Sequence, residues 1–146
     1  MTRTLIPASA DVILRHGSHV LLIRRSHTTN EYPLHWGFPG GKLEWNELFT
    51  ECALRELREE VGIFASHLNI SREIIVMRRN IRGTKVEYFC EIEEFQGVPE
   101  ILEPKLATDI AWFHTDELPE LMIPHHKIAL SGITQEKSYI EFDTLP

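Results

Sequence analysis

The sequence lacks long apolar runs, and no stretch approaches the ~20 hydrophobic residues that a membrane-spanning helix requires. Residues 1–7 form too short and too polar a segment for a signal peptide. Cysteine is scarce, since only Cys52 and Cys90 are present and they have no C-x-x-C spacing. We expect both to be free buried thiols in a reducing compartment. Together these absences predict a cytoplasmic protein with no membrane partner.

Positive charge is also in short supply, with 15 Lys and Arg residues against 22 Asp and Glu residues and a formal net charge of −7. A protein that binds nucleic acid polymers uses many Lys and Arg residues to neutralise phosphates. The composition therefore predicts no nucleic acid polymer as partner. It leaves room for a small phosphorylated substrate, because a cation held by acidic side chains can meet the phosphates.

Internal repeats, low-complexity segments and linkers are missing as well, so we expect a single domain over residues 1–146. Glu47 to Val61 contains no Gly or Pro and is rich in helix-forming residues, and Gly62 is well placed to end that helix. Ser26 to His35 is expected to be a polar loop. Short helices are expected at 117–121 and 125–130, and β-strands at 8–14, 19–24, 70–79, 85–95, 108–113 and 139–142. This order of elements predicts a mixed α+β fold with helices layered on a sheet.

Three carboxylates crowd one strip of the expected helix. A helix advances about 100° per residue, so Glu56, Glu59 and Glu60 fall within a sector of roughly 100° beside the apolar stripe. Like charges at this spacing repel, and a bound divalent cation with oxygen ligands would remove that conflict. The alternative is a solvated acidic face paired with Arg55 and Arg58, which is the commoner outcome for a lone E-x-x-E-E pattern.

Two glycines upstream of the helix favour the metal site. Gly40 and Gly41 let the backbone approach a ligand closely, and they can aim carbonyl or N–H groups at a metal ion or a phosphate. Glu47 then lies near the start of the helix, where an acidic residue is favourable. For the glycines alone, an ordinary tight turn is the alternative.

The whole segment resembles the Nudix box, G-x5-E-x7-R-E-U-x-E-E-x-G-U, in which U is a bulky aliphatic residue. All nine fixed positions match within residues 41–63 of this sequence. The matching residues are Gly41, Glu47, Arg55, Glu56, Leu57, Glu59, Glu60, Gly62 and Ile63. The flanking W-G-F-P-G-G-K at 36–42 and the W-F at 112–113 are similar to the MutT-like branch of the family.

This resemblance implies a Nudix-type α/β/α sandwich, in which the box helix packs against a mixed β-sheet. It implies magnesium as the cofactor, with manganese able to substitute for it. Glu59 and Glu60 would be metal ligands. Glu56 would be a third ligand or would orient the attacking water, and the backbone carbonyl of Gly40 would complete the metal shell.

The remaining box residues would be structural. Glu47 and Arg55 would form a salt bridge that positions the glycine loop on the helix, while Gly41 and Gly62 would shape the two ends of the box. The homodimers formed by many relatives make a homodimer an option for this chain as well, by analogy alone.

The reaction implied is attack of water on a phosphorus atom of a diphosphate, assisted by a general base. Relatives often draw this base from a loop before a late strand. Glu103 is our candidate in that loop and Glu100 is the alternative, while a solvated loop carboxylate is nearly as good an interpretation of Glu103.

Several other residues could contact the substrate. Lys42 and Arg25 could neutralise phosphate charge, and Phe38 could stack on a base, although a solvated lysine and a packed aromatic are common alternatives. Of Arg24, Arg25, Arg78 and Arg79, we expect one at most in the site. The pair His125-His126 has no metal-ligand spacing, so a helix start or a surface position is expected for it.

In the Nudix family, the substrate class depends on residues outside the box. The short chain and residues 38–42 look most like nucleoside triphosphate pyrophosphatases, and nucleotide-sugar hydrolases of the GDP-mannose type are the nearest alternative. An ADP-ribose hydrolase is disfavoured because Met77 and Arg78 stand where that branch has a proline, and a coenzyme A hydrolase because Leu34 stands where a glycine is needed. A non-catalytic nucleotide-binding module is disfavoured because every box glutamate is present. An isomerase on the same fold would need further catalytic residues.

Overall fold

The computed structural model describes residues 5–146, so residues 1–4 of the segment judged unlike a signal peptide lie outside the described range. Within it, eight strands form one mixed sheet. The strands are β1 (Ala8–His16), β2 (His19–Arg25), β3 (Trp36–Gly37), β4 (Gly40–Lys42), β5 (Ile70–Asn80), β6 (Gly83–Ile92), β7 (Ala107–His114) and β8 (Tyr139–Asp143). The helices are α1 (Phe49–Val61) and α2 (Pro124–Thr134), with a short 3₁₀ turn at His67–Asn69.

The main path of the sheet runs in the order β3-β2-β1-β6-β5-β8, with β4 paired to β1 and β7 paired to β2. The pairs β1–β6 and β5–β8 are parallel, and the other pairs are antiparallel. Parallel neighbours need a crossover connection, and each of these two pairs is joined by a connection that contains a helix. The two helices therefore cover the sheet.

Alternate residues of the central strands enter two separate hydrophobic cores. Val12 and Leu14 pack in the core that contains the buried face of α1, whereas Ile13 packs in the core that contains α2. Successive side chains of a strand point to opposite faces, so a sheet covered on both sides needs apolar residues at every position. This packing confirms the expected α/β/α sandwich, with the box helix against a mixed sheet.

Helix α1 begins at Phe49, two residues later than expected. Asn46 has a φ of 62°, in the left-handed region, which interrupts a helix approaching from upstream. The N–H of Leu48 donates to the Glu51 carboxylate at 2.9 Å, which closes the first turn. At the other end the expectation is confirmed, because Gly62 has a φ of 71° and its N–H donates to the carbonyl of Arg58 at 3.0 Å.

The expected short helix at 117–121 is absent, and that prediction is wrong. Pro119 disfavours helical geometry in the residue before it. The segment instead runs beside β3, where the N–H of Trp36 donates to the carbonyl of Leu121 at 2.7 Å and the N–H of Ile123 donates to the carbonyl of Trp36 at 2.8 Å. These backbone bonds replace the helical ones.

The expected free thiols are present, since Cys52 and Cys90 are both free and buried. His125 and His126 begin α2 as expected, but each is only 1% exposed, so a surface position is wrong. No helix within residues 5–146 is long and apolar enough to cross a membrane.

Candidate active site

The loop after β6 is fastened to the C-terminal end of α1. The last carbonyl groups of a helix lack partners within the helix. Here the N–H of Leu102 donates to the carbonyl of Glu60 at 3.0 Å, and the N–H of Glu100 donates to the carbonyl of Val61 at 3.1 Å. These bonds bring Glu103 to the acidic end of the box helix.

Three carboxylates meet at this point. Oxygen atoms of Glu56, Glu60 and Glu103 all lie within 4.8 Å of one another. Burial, with the added repulsion of Glu56, Asp11 and Glu103, raises the pKa of Glu60 well above its usual range. Burial, with the charges of Glu56 and Glu59, also raises the pKa of Glu103.

Within residues 5–146, neither Glu60 nor Glu103 lies in salt-bridge distance of a Lys or Arg side chain. An ionised Glu60 is therefore partly buried without a compensating positive charge. A cluster of carboxylate oxygens in which two of the three acids, Glu60 and Glu103, have no cationic partner among the described residues fits a small hard cation such as Mg²⁺.

Arg55 supplies the positive charge for the rest of the box. Its guanidinium forms a two-pronged salt bridge with Glu47 at 2.7 and 2.9 Å, and it donates to Glu56 at 2.9 Å and to Glu59 at 3.1 Å. It also donates to the carbonyl of Lys42 at 3.2 Å, in the glycine-containing strand β4. Arg55 thus offsets part of the repulsion expected between the carboxylates of the helix. Glu60 has no such cationic partner within residues 5–146.

The structure groups the acids differently from the expectation. Glu59, expected to be a metal ligand with Glu60, directs its carboxylate towards Arg55 because the two residues are one turn apart on the helix. Glu103, the candidate base, occupies the third place of the cluster beside Glu56 and Glu60. Glu100, the alternative base, is exposed outside the cluster.

Glycine is required at two positions of β4. A Cβ atom on Gly41 would lie 2.5 Å from the Cδ atom of Glu56, and a Cβ atom on Gly40 would lie 2.3 Å from the backbone oxygen of Ala10. The missing side chains let the strand approach both α1 and β1. Gly40, whose carbonyl is the expected metal ligand, lines a cavity together with Glu60 and Glu103.

Two adjoining cavities lie beside the acidic cluster, and only the smaller one has acids of the cluster in its wall. The smaller, of about 160 Å³, contains Glu60 and Glu103 in its wall. The larger, of about 520 Å³, has a polar wall that includes Lys42 and Glu87. The two share wall residues, which are Arg25, Thr29, Gly40 and Leu106. A substrate with its diphosphate at the acids could therefore extend from one cavity into the other.

Of the three residues expected to contact the substrate, two have side chains in the wall of the larger cavity and the third is buried. Arg25 lies where the cavities meet, and Lys42 is exposed in the wall of the larger one. Phe38 is only 3% exposed, and its ring is stacked on His126 with centroids 5.7 Å apart, so it has no open face for a base. It contributes only to the wall of the smaller cavity.

The other arginines considered as phosphate contacts are engaged elsewhere. The Nη1 atom of Arg24 lies 3.6 Å from Oδ2 of Asp109, and Arg79 forms a salt bridge with Asp143. Arg78 is buried and pairs with Glu87 at 2.8 Å. Among these four arginines, only Arg25 lines the two cavities of the described chain.

Sequence reasoning missed two buried acids in the larger cavity. Asp11 is 5% exposed and Glu87 is 2% exposed, and both belong to central strands. The Oδ2 atom of Asp11 has no hydrogen-bond partner among residues 5–146. A signal was present, because an acidic residue inside an otherwise apolar strand is rarely buried without a reason.

Known proteins resemble the chain over most of its length. The NUDIX domain family model matches residues 5–131. A putative 8-oxo-dGTP diphosphatase of Bacillus subtilis (strain 168), YtkD, is 32% identical over 84% of this chain and 71% of its own length. An ADP-ribose pyrophosphatase of Methanocaldococcus jannaschii is 28% identical over 84% of this chain and 70% of its own length.

Solved structures agree. The crystal structure of a MutT NUDIX hydrolase from Burkholderia pseudomallei superimposes with a TM-score of 0.76 at 26% identity, covering 88% of this chain and 98% of that one. The chain therefore belongs to the Nudix hydrolase family and to its MutT-like branch. Nudix hydrolases generally use divalent metal ions and act on nucleotide derivatives, which agrees with the acidic cluster described above.

The Gly41→Ala substitution tests the close approach of β4 to the box helix. The new methyl group would displace the Glu56 carboxylate, which is the end of a flexible side chain, so the fold should survive. We expect a loss of hydrolysis of about tenfold or more with a melting temperature within a few degrees of the unsubstituted protein. Unchanged hydrolysis would show that Glu56 need not stay where the structure places it.

The Glu47→Gln substitution tests the salt bridge to Arg55 through the pH dependence of stability. The bridge lowers the pKa of Glu47 to about 2 from the ordinary value of 4.5. The unfolded chain therefore takes up a proton at higher pH than the folded chain, so this contribution to stability is full above pH 4.5 and is lost as the pH falls towards 2.

In Glu47→Gln we expect a lower free energy of unfolding at pH 7, and a smaller decrease in it between pH 4.5 and pH 2.5, measured by urea titration. Glu120→Gln, which changes an exposed carboxylate, is the control. Equal pH profiles for the two variants would contradict a stabilising bridge.

Proposed function

We propose that the protein hydrolyses the diphosphate linkage of a nucleoside diphosphate derivative with the help of a divalent metal ion. The observation that carries this proposal is the cluster of Glu56, Glu60 and Glu103, in which Glu60 and Glu103 have no Lys or Arg partner in the described chain and line a cavity. Clustered acids that lack a counter-charge are suited to hold a cation, and a cation is what a diphosphate needs there.

The proposed ion is Mg²⁺, with Mn²⁺ able to replace it. Glu56, Glu60 and the carbonyl of Gly40 would hold it, and Glu59 could join them by leaving Arg55, since its side chain is 48% exposed. When bound, the ion would screen the phosphate oxygens and lower the pKa of a water molecule.

The protein's own residues would do the remaining work. Glu103 has a raised pKa, which makes its carboxylate a better proton acceptor than an ordinary glutamate, and we propose it as the general base. Glu56 would orient the water or bind metal. Arg25 and Lys42, in the cavity walls, would face the phosphates beyond the bond that breaks.

For the substrate we propose a nucleoside triphosphate, cleaved to release pyrophosphate. The support is the resemblance to an 8-oxo-dGTP diphosphatase and to a MutT hydrolase. We propose a cytoplasmic protein that handles a small nucleotide, and a homodimer by analogy with relatives. A module that binds without cutting ranks below these proposals, because all four box glutamates are kept.

A second candidate, a nucleotide sugar, is supported by the wall of the larger cavity. Its residues include three carboxylates, Asp11, Glu31 and Glu87, and the hydroxyls of Thr28 and Thr29, but no aromatic ring among the described residues. Bases commonly stack on aromatic rings, whereas a polyhydroxylated group needs hydrogen-bond partners on many sides. ADP-ribose, the substrate named for one relative, also carries a sugar beyond its diphosphate.

Turnover by Glu60→Gln tests the proposed metal site. We expect a loss of about a hundredfold or more in kcat with Mg²⁺, because one carboxylate ligand is removed. We also expect an equal or higher melting temperature, since the substitution removes a partly buried charge that burial and its neighbours disfavour. Glu120→Gln is again the control, and an unchanged rate in Glu60→Gln across a broad substrate panel would show that the metal assignment is wrong.

A substrate panel tests which derivative is cleaved. Nucleoside triphosphates, dinucleoside polyphosphates and nucleotide sugars should be compared by kcat/KM in Mg²⁺, with product analysis for pyrophosphate and monophosphate. We expect a triphosphate to lead. A clear preference for a nucleotide sugar would favour the second candidate, and hydrolysis that persists in EDTA would contradict a metal-dependent reaction.

A further inference from the structure

Arg78 joins two parts of the larger cavity that are far apart in sequence. It lies in β5 and is 5% exposed. Its Nε donates to Glu87 of β6 at 2.8 Å, and its Nη2 donates to Glu31 of the loop 26–35 at 2.7 Å. Both carboxylates line the cavity, whereas Arg78 itself does not.

The geometry makes this a rigid connection. A buried carboxylate such as Glu87 is very unfavourable unless it is paired, so Arg78 is held in place by Glu87. The guanidinium is planar, and its donors point in fixed directions, so a second carboxylate on the same group is fixed relative to the first. The position of Glu31 is thereby set by the sheet.

The backbone of the loop 26–35 is strained and has to be held by contacts with the sheet. Tyr32 has a φ of 47° and Leu34 a φ of 64°, and non-glycine residues in this region are strained. Two further arginines hold the same stretch, since Arg25 donates to the carbonyl of Glu31 at 2.8 Å and Arg24 donates to the carbonyl of Leu34 at 3.1 Å. The strained backbone persists because side chains from the sheet hold it.

The neighbouring histidines do not turn Glu87 into a metal site, although Glu87, His125 and His126 are close enough to suggest one. The N–H of Phe38 donates to Nδ1 of His126 at 3.0 Å, so a neutral His126 carries its proton on Nε2. That nitrogen faces Glu87 at 3.7 Å and has no free lone pair for a metal. His125 also faces Glu87, with its Nε2 atom 3.2 Å from a carboxylate oxygen, and it contacts the loop through the ring of Tyr32, with centroids 5.6 Å apart.

We propose that Arg78 is a positioning residue for substrate binding. By fixing Glu31 to Glu87 it holds the loop 26–35 as one wall of the larger cavity, and it does so without touching the substrate. This inference rests on the proposed function only in taking that cavity as the place where the substrate lies beyond its diphosphate. Because the acidic cluster is built from other segments, loss of the connection should weaken substrate binding and leave the chemical step intact.

Glu31→Gln is the primary test, because Glu31 is partly exposed and its replacement leaves the buried Arg78–Glu87 pair whole. Asp143→Asn is the matched control. It removes the partner of Arg79, the next residue along β5, whose salt bridge lies outside both cavities. Arg78→Lys is the second variant, since lysine keeps a positive charge near Glu87 but has no fork to reach Glu31 as well.

Two readouts apply to each variant. In hydrogen exchange followed by mass spectrometry, the peptide covering 26–35 should exchange about tenfold faster in Glu31→Gln and Arg78→Lys, as expected for the loss of a charge-assisted hydrogen bond, and unchanged in Asp143→Asn. In steady-state kinetics with the best substrate of the panel, KM should rise about three- to tenfold in Glu31→Gln and Arg78→Lys with kcat within about twofold, and both constants should stay unchanged in Asp143→Asn.

The outcomes separate this inference from the proposed function. Unchanged exchange of the peptide 26–35 in Glu31→Gln would overturn the role of Arg78, whatever the protein hydrolyses. Faster exchange with an unchanged KM, or an equal fall in kcat for Glu31→Gln and Asp143→Asn, would overturn it as well. If the unsubstituted protein hydrolyses no member of the panel with Mg²⁺ or Mn²⁺, the proposed function fails, and the exchange measurement still decides whether Arg78 holds the loop.

Discussion

The candidate active site depends on one arginine, because Arg55 joins the box helix to the chain segment before it. Its ion pairs reach Glu47 upstream and both Glu56 and Glu59 on the helix, and its bond to the carbonyl of Lys42 adds β4 to the same unit. Without this charge, four carboxylates would repel one another across two segments. With it, Glu47, Glu56 and Glu59 share one cationic partner, whereas Glu60 and Glu103 have none among the described residues. The acids best suited to hold a cation are therefore the ones that Arg55 does not contact.

Much of this arrangement could be predicted from the sequence, because it is local. The helix, its C-terminal Gly62 and the acidic strip follow from spacing within residues 41–63, and the resemblance to the Nudix box implied the salt bridge between Glu47 and Arg55. The placement of Glu103 beside the helix is not local, since it depends on backbone bonds between a distant loop and the end of α1. The expectation that Glu59 and Glu60 are metal ligands stays a prediction, and in the structure the Glu59 carboxylate contacts Arg55, one turn away.

What could not be predicted comes from long-range packing. Asp11 and Glu87 belong to β1 and β6, which become parallel neighbours only when the sheet forms, and no local pattern brings them to one cavity. His125 and His126 looked like surface residues because a helix start is usually exposed, yet α2 begins against the sheet and buries both. The false helix at 117–121 has a partly local reason, since Pro119 disfavours helical geometry in the residue before it, and hydrogen bonds with Trp36 hold the segment beside β3.

The division of the site into two cavities affects how mutations can alter substrate preference without altering hydrolysis. The acids that would carry the chemistry come from α1 and the loop after β6, whereas the larger cavity is bounded by the loop 26–35 and by β6 itself. Substitutions in the second group can alter which molecule is accepted while the hydrolytic residues stay as they are. Of the residues that the structure describes, only Arg25, Thr29, Gly40 and Leu106 belong to both cavities, so few of these positions affect both hydrolysis and substrate choice. A shift between related nucleotide substrates is therefore open to single mutations that leave the box untouched.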